Sequence, residues 1–478
     1  MNNAKNKTLI IGTLSYGVLS CAIGYFTYSK TNRTREYTIN DVSKHNEHND
    51  LWVSYKNKVY DITKFVNIHP GGKENILMAG GGPIDIYWNL YKQHNTDYVK
   101  TILEKYHIGN LIDEVKIILD DEYISEPKRE MGNLIVHKRE PFNAEPNNKI
   151  LLNSYLTCDK NWFTRNHHPV PSIDINDFNL TIGGKIFKYK DIINKKYDEI
   201  ITTIQCAGNR RSEFNALDIP MGLSWGGGAI SSGKWTGVWL NDIIEIPKDK
   251  KYINLIDYNY NFSVSVPINT KLFLAYKMNN EILSRDRGFP LRIIAPGLTG
   301  SKNVKWIQHI EFSNEEINSV WQTGIAYKKF PNTIKKINKI TENLKLSTPT
   351  INELPVQSYI CNTVVLNDTI NITGYAITGL DKYIKYIEIS NDNGKTWQKA
   401  TIVKGKNIKN AWCFWEITLP YESSIIYKIN NADKNENINL NKYMCRATDN
   451  KDNSQMNSLS KIWNIRGISN NSPFTKSY

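Results

Sequence analysis

The hydrophobic residues between positions 150 and 330 fall in short β-branched runs that are separated by glycine-rich turns. Two examples are residues 199–205 (Glu-Ile-Ile-Thr-Thr-Ile-Gln) and residues 291–295 (Leu-Arg-Ile-Ile-Ala). Few stretches show the period of 3.6 residues that marks a long amphipathic helix. The pattern therefore predicts a mixed α+β domain in this part of the chain.

Beyond residue 340 the hydrophobic positions form short runs at regular spacing. The sequence Asn391-Asp-Asn-Gly394 between two of these runs is typical of a hairpin turn. Short strands with regularly spaced turns predict an immunoglobulin-like β-sandwich. The predicted strands cover residues 363–366, 370–375, 386–390, 412–419, 426–429 and 443–448.

An uncharged stretch at residues 8–29 has basic residues on both sides. A helix of this length, rising about 1.5 Å per residue, could cross the core of a bilayer. Basic flanks without any acidic residue are also typical of an organellar targeting segment. A membrane anchor and a cleavable targeting segment both remain open interpretations.

Composition narrows the class of protein. A chain of 478 residues is longer than one usual domain, and 40% hydrophobic residues exclude wholesale disorder. The net charge of +13 is compatible with a nucleic acid, an anionic lipid or a small anionic substrate as partner. The six cysteines include no Cys-x-x-Cys pair, which argues against a disulfide scaffold and a zinc ribbon.

Two histidines 25 residues apart stand out in the segment 36–111. His69 opens the sequence His-Pro-Gly-Gly, in which the proline fixes φ and the glycines permit a sharp turn. His94 follows a helical apolar stretch. Two imidazoles on opposite walls of an apolar pocket suit six-coordinate heme iron. Residues 37–111 resemble the cytochrome b5 family, and the resemblance implies that His69 and His94 are the axial ligands of a b-type heme.

A single cysteine among arginines marks the central segment. Cys206 follows the strand-like run 200–205 and precedes Ala-Gly-Asn-Arg-Arg211. Neighbouring positive charge favours a thiolate, which is a metal ligand or a nucleophile. An inert buried cysteine is the alternative interpretation.

Further arginines and lysines lie beside glycine turns elsewhere in this segment. They occur around Arg165, Arg287 and Lys305. A guanidinium group can donate two parallel hydrogen bonds to the oxygens of one phosphate, sulfate or carboxylate. These residues therefore predict a pocket for small anions. Nucleic acid is not expected as a partner, because the arginines are scattered singly rather than strung along one element with exposed aromatic residues.

The motifs from Trp162 to Phe330 resemble the molybdenum-cofactor domain of the sulfite oxidase family, and with the tail the resemblance covers nearly the whole chain. It implies that Cys206 is the protein ligand of molybdenum, which also binds molybdopterin. It implies a substrate pocket formed by Arg165, Arg211, Trp225, Tyr327 and Arg466. The implied cofactor-binding residues are Phe163, Thr164, Arg165, Asn166, His167, Asp257, Arg287, Arg292, Asn303, Val304 and Lys305. The family usually has histidine at the position of Arg287.

The resemblance also implies an activity and partners. The expected reaction is the oxidation of sulfite to sulfate, with electrons passing through the heme to cytochrome c. A homodimer and a location in the mitochondrial intermembrane space are expected, with a possible membrane anchor at the N-terminus. Two alternatives stay open: a nitrate reductase-like molybdoenzyme, and a membrane-tethered heme electron carrier with an inactive molybdenum domain.

The expected organisation is therefore multi-domain. It comprises a targeting or anchor segment (1–35), a small α+β cytochrome b5-like domain (36–111), a linker (112–145), a mixed α+β molybdopterin-binding domain (146–338) and a β-sandwich dimerisation domain (339–478).

Overall fold

A computed structural model describes residues 34–113, 122–421, 442–455 and 458–477. The uncharged stretch at 8–29 and the predicted strand at 426–429 lie outside these residues. Within them, none of the helices has the length and apolar character needed to cross a membrane.

The first domain is a small α+β unit built on a six-stranded sheet. Thr96 caps the longest of its helices by accepting a hydrogen bond from the backbone N–H of Val99. A core that includes Leu51, Val66 and Trp88 lies between the sheet and the helices. The helices are Ile39–Ser43, Lys73–Leu77, Asp85–Leu90 and Asp97–Glu104. In spatial order the strands are Glu36–Tyr37, His107–Leu111, Lys58–Asp61, Asp50–Tyr55 and Asn46–Glu47, and Gly82–Pro83 pairs with Asp50–Tyr55.

Part of the segment that we predicted to be a linker forms strands. Leu134–Lys138 pairs with Asn143–Pro146, which pairs in turn with Thr164–Arg165. Arg129 lies in the same segment and forms an ion pair with Asp286, with 2.7 Å between Nε and Oδ2. Residues 129–146 therefore contact the molybdenum-cofactor segment directly.

The central domain contains two five-stranded sheets and short helices. One sheet has the strand order Lys185–Lys188, Asn179–Ile182, Ile307–Ser313, Tyr252–Asp257 and Ser263–Pro267. The other has the order Asp198–Gln205, Ile230–Trp239, Phe273–Met278 and Glu281–Ile282, with Arg292–Ile294 paired to Phe273–Met278. The helices are Tyr189–Ile193 and Leu240–Ile243. The mixed α+β prediction is confirmed.

The described residues of the C-terminal domain form seven paired strands around one apolar core. Ile384–Ser390 and Gln398–Lys404 pair antiparallel across the predicted hairpin turn, in which Gly394 has a φ of 84°. The β-sandwich prediction is confirmed. The described part of this domain also contains the helices Glu342–Ser347 and Leu459–Ile462, which share a separate apolar cluster. In spatial order the strands are Gln357–Leu366, Thr369–Ile377, Cys413–Pro420, Gln398–Lys404, Ile384–Ser390, Lys442–Asp449 and Phe474–Ser477.

Candidate active site and heme site

Cys206 lies directly after the buried end of strand Asp198–Gln205, as the sequence predicted. Its backbone N–H donates to the carbonyl of Ala229 at 2.9 Å, and its Sγ accepts from the N–H of Gly208 at 3.4 Å. A Cβ atom at Gly208 would lie 2.4 Å from Nη2 of Arg211. The glycine turn therefore lets the Arg211 guanidinium pass close to the cysteine loop.

A cavity of about 220 Å³ opens beside Cys206. It is lined by most of the residues that the sequence singled out, whereas Thr164, Arg211, Trp225 and Arg466 lie outside its lining. The predicted residues in the lining are Phe163, Arg165, Asn166, His167, Cys206, Asp257, Arg287, Arg292, Asn303, Val304, Lys305 and Tyr327.

Three arginines from distant parts of the chain converge next to this cavity. Burial, together with the charges of Arg466 and Arg165, lowers the pKa of Arg211 to about 10, although Cys206 opposes the shift. Burial likewise lowers the pKa of Arg466 to about 10. The Arg211 Nε donates to the carbonyls of Arg466 and Gly467, both at 3.1 Å. Repulsion among buried cations is relieved by an anion, so the arrangement suits a small anionic ligand.

Arg165, His167 and Tyr327 form a chain of hydrogen bonds. Nη2 of Arg165 lies 3.1 Å from Nδ1 of His167, and Nε2 of His167 lies 2.9 Å from the hydroxyl of Tyr327. A guanidinium can only donate, so Nδ1 must accept. Burial, reinforced by the charge of Arg165, holds the pKa of His167 well below its usual range, so the ring is neutral and its proton sits on Nε2. The Tyr327 oxygen accepts that proton's hydrogen bond, and its own O–H is free to donate.

The deeper cavity wall holds buried cations with few acidic partners. Burial lowers the pKa of Arg292 to about 9, and its Nε has no hydrogen-bond partner among the described residues. Burial also holds the pKa of Lys305 well below its usual range, and its ammonium bonds the side-chain oxygen of Asn166. An unpaired buried cation is costly, and a phosphate would supply the missing acceptors. These residues therefore fit the anionic end of a pterin cofactor.

Arg287 is buried, although the family usually has histidine at this position. Its Nε donates to Asp159 Oδ1 at 2.7 Å, and its Nη atoms donate to the carbonyl of Phe163 and the hydroxyl of Thr164, both at 3.1 Å. The Arg287 side chain thus links residues 163–164 to Asp159 through hydrogen bonds, and it also lines the cavity.

Asp257 differs from the other predicted binding residues because it is an acid. It accepts from the backbone N–H of Phe262 at 2.7 Å. Burial raises its pKa to about 8 despite that hydrogen bond. A protonated carboxyl donates as well as accepts, which suits the amide and amino groups of a pterin ring.

Trp225 is fully buried and contacts His137 edge to face, with 4.7 Å between ring centroids. It packs in the apolar cluster that contains Trp162 and Trp235. The structure therefore places Trp225 behind the cavity wall.

Two polar residues that position the site were missed by sequence reasoning. Glu145 accepts from the backbone N–H groups of Gly226 at 2.7 Å and Gly228 at 2.9 Å, and so holds the loop that precedes Ala229. Asn143 accepts from Nη1 of Arg165 at 3.0 Å. Both residues lie in the segment interpreted as a linker, where local pattern gives no signal for contacts with residues so distant in sequence.

The two histidines that the sequence predicts as heme ligands face each other in the first domain. The rings of His69 and His94 are nearly parallel, with centroids 6.0 Å apart and 12° between the planes. Nδ1 of His69 bonds the carbonyl of Gly72 at 2.9 Å, and Nδ1 of His94 bonds the carbonyl of Tyr91 at 3.0 Å. Each ring thus leaves Nε2 for a metal, and the spacing fits one iron bound at about 2 Å from each nitrogen.

Three domain families match this chain. Residues 38–112 match the cytochrome b5-like heme/steroid binding domain. Residues 167–321 match the oxidoreductase molybdopterin binding domain. Residues 348–477 match the Mo-co oxidoreductase dimerisation domain. The order of the three agrees with the order that the sequence predicts.

Relatives and a solved structure agree with these matches. Sulfane dehydrogenase SoxCD from Paracoccus pantotrophus shares the fold at a TM-score of 0.58 and 18% identity, over 76% of this chain and 92% of that one. NADH nitrate reductase 1 of Phaseolus vulgaris is 27% identical over 72% of this chain but only 42% of its own length. Mitochondrial sulfite oxidase of Rattus norvegicus is 32% identical over 91% of this chain and 83% of its own. Mitochondrial sulfite oxidase of Drosophila melanogaster is 34% identical over 90% of this chain and 78% of its own length. The chain therefore belongs to the sulfite oxidase family.

Proposed function

We propose that this protein oxidises sulfite to sulfate and passes the two electrons, one at a time, through its heme to cytochrome c. The observation that carries the proposal is the convergence of Arg165, Arg211 and Arg466 beside a cavity that Arg165, Cys206 and Tyr327 line. Fixed positive charge around a small cavity selects a compact anion over a neutral substrate.

Two cofactors belong to this function. As a member of this family the protein is an oxidoreductase that holds molybdopterin-bound molybdenum and a b-type heme. We propose that Cys206 binds the molybdenum, that Arg292, Lys305 and Asp257 bind the pterin, and that His69 and His94 bind the heme iron. When bound, the molybdenum cofactor supplies two-electron oxygen-atom transfer and the heme supplies one-electron transfer.

The arginines bind and orient the substrate anion. Taking a dianion out of water is costly, and guanidinium forks that are already held in place replace its hydration shell. Backbone carbonyls hold Arg211, since its Nη1 donates to the carbonyl of Leu223 at 2.7 Å. Arg466 reaches the site from the C-terminal domain and donates through Nε to the carbonyl of Ala326 at 3.4 Å. Little reorganisation is therefore needed when the anion enters.

Tyr327 supplies a hydrogen-bond donor. Burial raises its pKa to about 12, although the charge of Arg165 opposes the shift. The hydroxyl is therefore protonated near neutral pH. Because His167 donates to its oxygen, the Tyr327 O–H points to a remaining acceptor, and a substrate or product oxygen in the cavity is the acceptor we assign.

We also propose that the protein is a homodimer in the mitochondrial intermembrane space. The match to the dimerisation domain supports a homodimer formed through the C-terminal domain. The mitochondrial animal relatives support a location in the intermembrane space. The proposed N-terminal targeting or anchor segment lies outside the described residues.

Substrate tests on the purified holoprotein separate the three candidate functions. Sulfite with ferricyanide as acceptor is expected to react, whereas nitrate with a reduced viologen is expected to give a much slower reaction. Metal analysis is expected to find molybdenum and iron in equal amounts. Faster reaction with nitrate would favour the nitrate reductase alternative, and iron without molybdenum would favour the electron carrier.

A further inference from the structure

The heme domain and the molybdenum domain touch through two aromatic side chains. The ring of Tyr91 packs edge to face on the ring of His168, with 5.4 Å between centroids and 79° between planes. Tyr91 belongs to the first domain, and His168 lines the cavity of the second. Close by, the hydroxyl of Tyr123 donates to the carbonyl of Leu90 at 3.2 Å. The two domains are therefore docked with the cavity next to the heme site.

This contact is one step in a continuous series of aromatic rings, which we term the ring ladder. The ring ladder consists, in order, of Tyr327, His167, Trp321, His168, Tyr91 and His94. On the cavity side, Tyr327 lies 6.3 Å from His167, and His167 lies 4.0 Å from Trp321, measured between centroids. Trp321 lies 6.1 Å from His168. On the heme side, Tyr91 lies 6.1 Å from the heme-binding His94. No step in the ladder is wider than a packed aromatic pair.

The ladder rings are closely packed and uncharged. Burial lowers the pKa of His168 to about 4, and the charge of Arg165 adds to the effect, so the ring is neutral near pH 7. His168 is only 7% exposed. Electron tunnelling weakens steeply across gaps that water fills, so a run of packed rings couples two redox centres better than an open interface.

We propose that the ring ladder is the route by which electrons leave the molybdenum site for the heme, with Tyr91 and His168 as the residues that position the docked heme domain. This inference rests on the proposed function. In each transfer one electron leaves the reduced molybdenum cofactor and one ferric heme becomes ferrous. No bond changes in the ladder. The second electron follows after the heme has been reoxidised by a ferric heme protein.

The test compares two substitutions at Tyr91 in the full-length holoprotein. Tyr91→Leu removes the ring, and Tyr91→Phe keeps it. After rapid mixing with sulfite, heme reduction is expected to be about tenfold slower in Tyr91→Leu and nearly unchanged in Tyr91→Phe, since an aromatic pair of this kind shifts a docking equilibrium by about that factor. Sulfite oxidation with ferricyanide as direct acceptor is expected to match the unaltered protein in both.

A double-mutant cycle tests whether Tyr91 and His168 act together. His168→Leu is expected to slow heme reduction to a similar degree, and Tyr91→Leu/His168→Leu is expected to be little slower than either single variant. Unchanged heme reduction in Tyr91→Leu would overturn the ladder while the ferricyanide reaction still supported the proposed function. Lack of any sulfite reaction in the unaltered protein would overturn both.

A distance measurement tests docking without reference to turnover. Cys158 is an exposed cysteine of the molybdenum domain and can carry a nitroxide label in a Cys21→Ser background. Pulsed electron paramagnetic resonance then gives the distance from the label to the ferric heme. A single narrow distribution is expected, and it should broaden in Tyr91→Leu/His168→Leu. An unchanged distribution in that variant would overturn the positioning role of the two residues.

Discussion

Nε2 of His167 lies 2.9 Å from the hydroxyl oxygen of Tyr327 and determines which way that hydroxyl points. Arg165 occupies the other ring nitrogen as a donor, so the imidazole proton is directed at Tyr327. The Tyr327 hydroxyl can therefore donate its own proton to an acceptor in the cavity that it lines. Arg165 and the neutral His167 ring thus together orient the Tyr327 hydroxyl.

Loss of the Tyr327 hydroxyl should reduce turnover more than binding. Tyr327→Phe keeps the ring and its contact with His167 but removes the donor. We expect kcat to fall about a hundredfold with a smaller change in KM, because a donor aimed at developing charge acts mainly in the transition state. Steady-state kinetics with sulfite and ferricyanide measure both constants. A rise in KM with unchanged kcat would contradict this role.

Loss of the Arg466 charge should weaken anion binding. Arg466→Gln removes one of the three converging guanidinium groups, and we expect the inhibition constant of sulfate to rise at least about tenfold, as for a lost hydrogen bond to a charged group. Lys461→Gln changes the net charge equally on an exposed side chain nearby and serves as the control. Equal effects of the two substitutions would show that only net charge matters.

Arg210 should be essential for the stability of the domain junction. Its side chain is fully buried, and Nε and Nη2 each bond Glu213 at 2.7 Å. Nη1 donates to the carbonyls of Ser358 and Ser472 in the C-terminal domain. Arg210→Met leaves Glu213 with only the hydrogen bond from Asn470 at 3.2 Å, and we expect a loss of about 3–5 kcal/mol in the free energy of unfolding.

Denaturant unfolding checks this expectation against a matched ion pair. Arg446 bonds Glu388 at 2.9 Å within the C-terminal domain, and its side chain is 24% exposed. Arg446→Met is expected to cost less, on the order of 1–2 kcal/mol, because this pair is partly exposed, although Arg446 also stacks on Trp397. A similar small cost for Arg210→Met would contradict the bridging role of Arg210.

Lys302 should make stability rise with pH above neutrality. Burial lowers its pKa from 10.5 to about 7, so between these values the unfolded chain binds more protons than the folded chain. The free-energy penalty for burying the charged Lys302 ammonium is fully present below pH 7 and disappears as the pH approaches 10.5. In Lys302→Met, Gln322 still accepts from the N–H of Ser265 at 3.0 Å.

Thermal unfolding of Lys302→Met beside the unaltered protein isolates this effect, because other titrating groups are common to both. The melting temperature of the variant relative to the unaltered protein should be highest at pH 7 and fall toward pH 10. A difference that is constant across this range would show that Lys302 keeps an ordinary pKa.

Local sequence pattern predicted the parts of the site that local structure determines. The strand before Cys206 and the His-Pro-Gly-Gly turn at His69 were both found in this way, since each depends on neighbouring residues. Local pattern alone does not distinguish the neighbours Arg210 and Arg211, whereas the family resemblance assigned only Arg211 to the substrate pocket. Arg210 has a φ of 65°, which turns the two side chains toward different partners: Arg210 to Glu213 and the carbonyl of Ser472, and Arg211 to the arginines beside the cavity.

Long-range contacts explain what the sequence did not predict. Asp286 pairs with Arg129, which is 157 positions away, and Glu145 holds a glycine loop 81 positions away. Charge-dense segments usually indicate solvent exposure, and only the folded chain shows that Arg129 and Glu145 are covered. The ring ladder likewise joins residues from three separate parts of the sequence.

The most direct test of the account is anaerobic addition of sulfite to the oxidised holoprotein while the heme absorption bands are recorded. We predict the Soret shift and the sharp α band of ferrous heme in the unaltered protein, and neither change in Cys206→Ser with its heme intact. Reduction at the same rate in both proteins, or in neither, would contradict the claim that electrons from sulfite reach the heme through a cofactor held by Cys206.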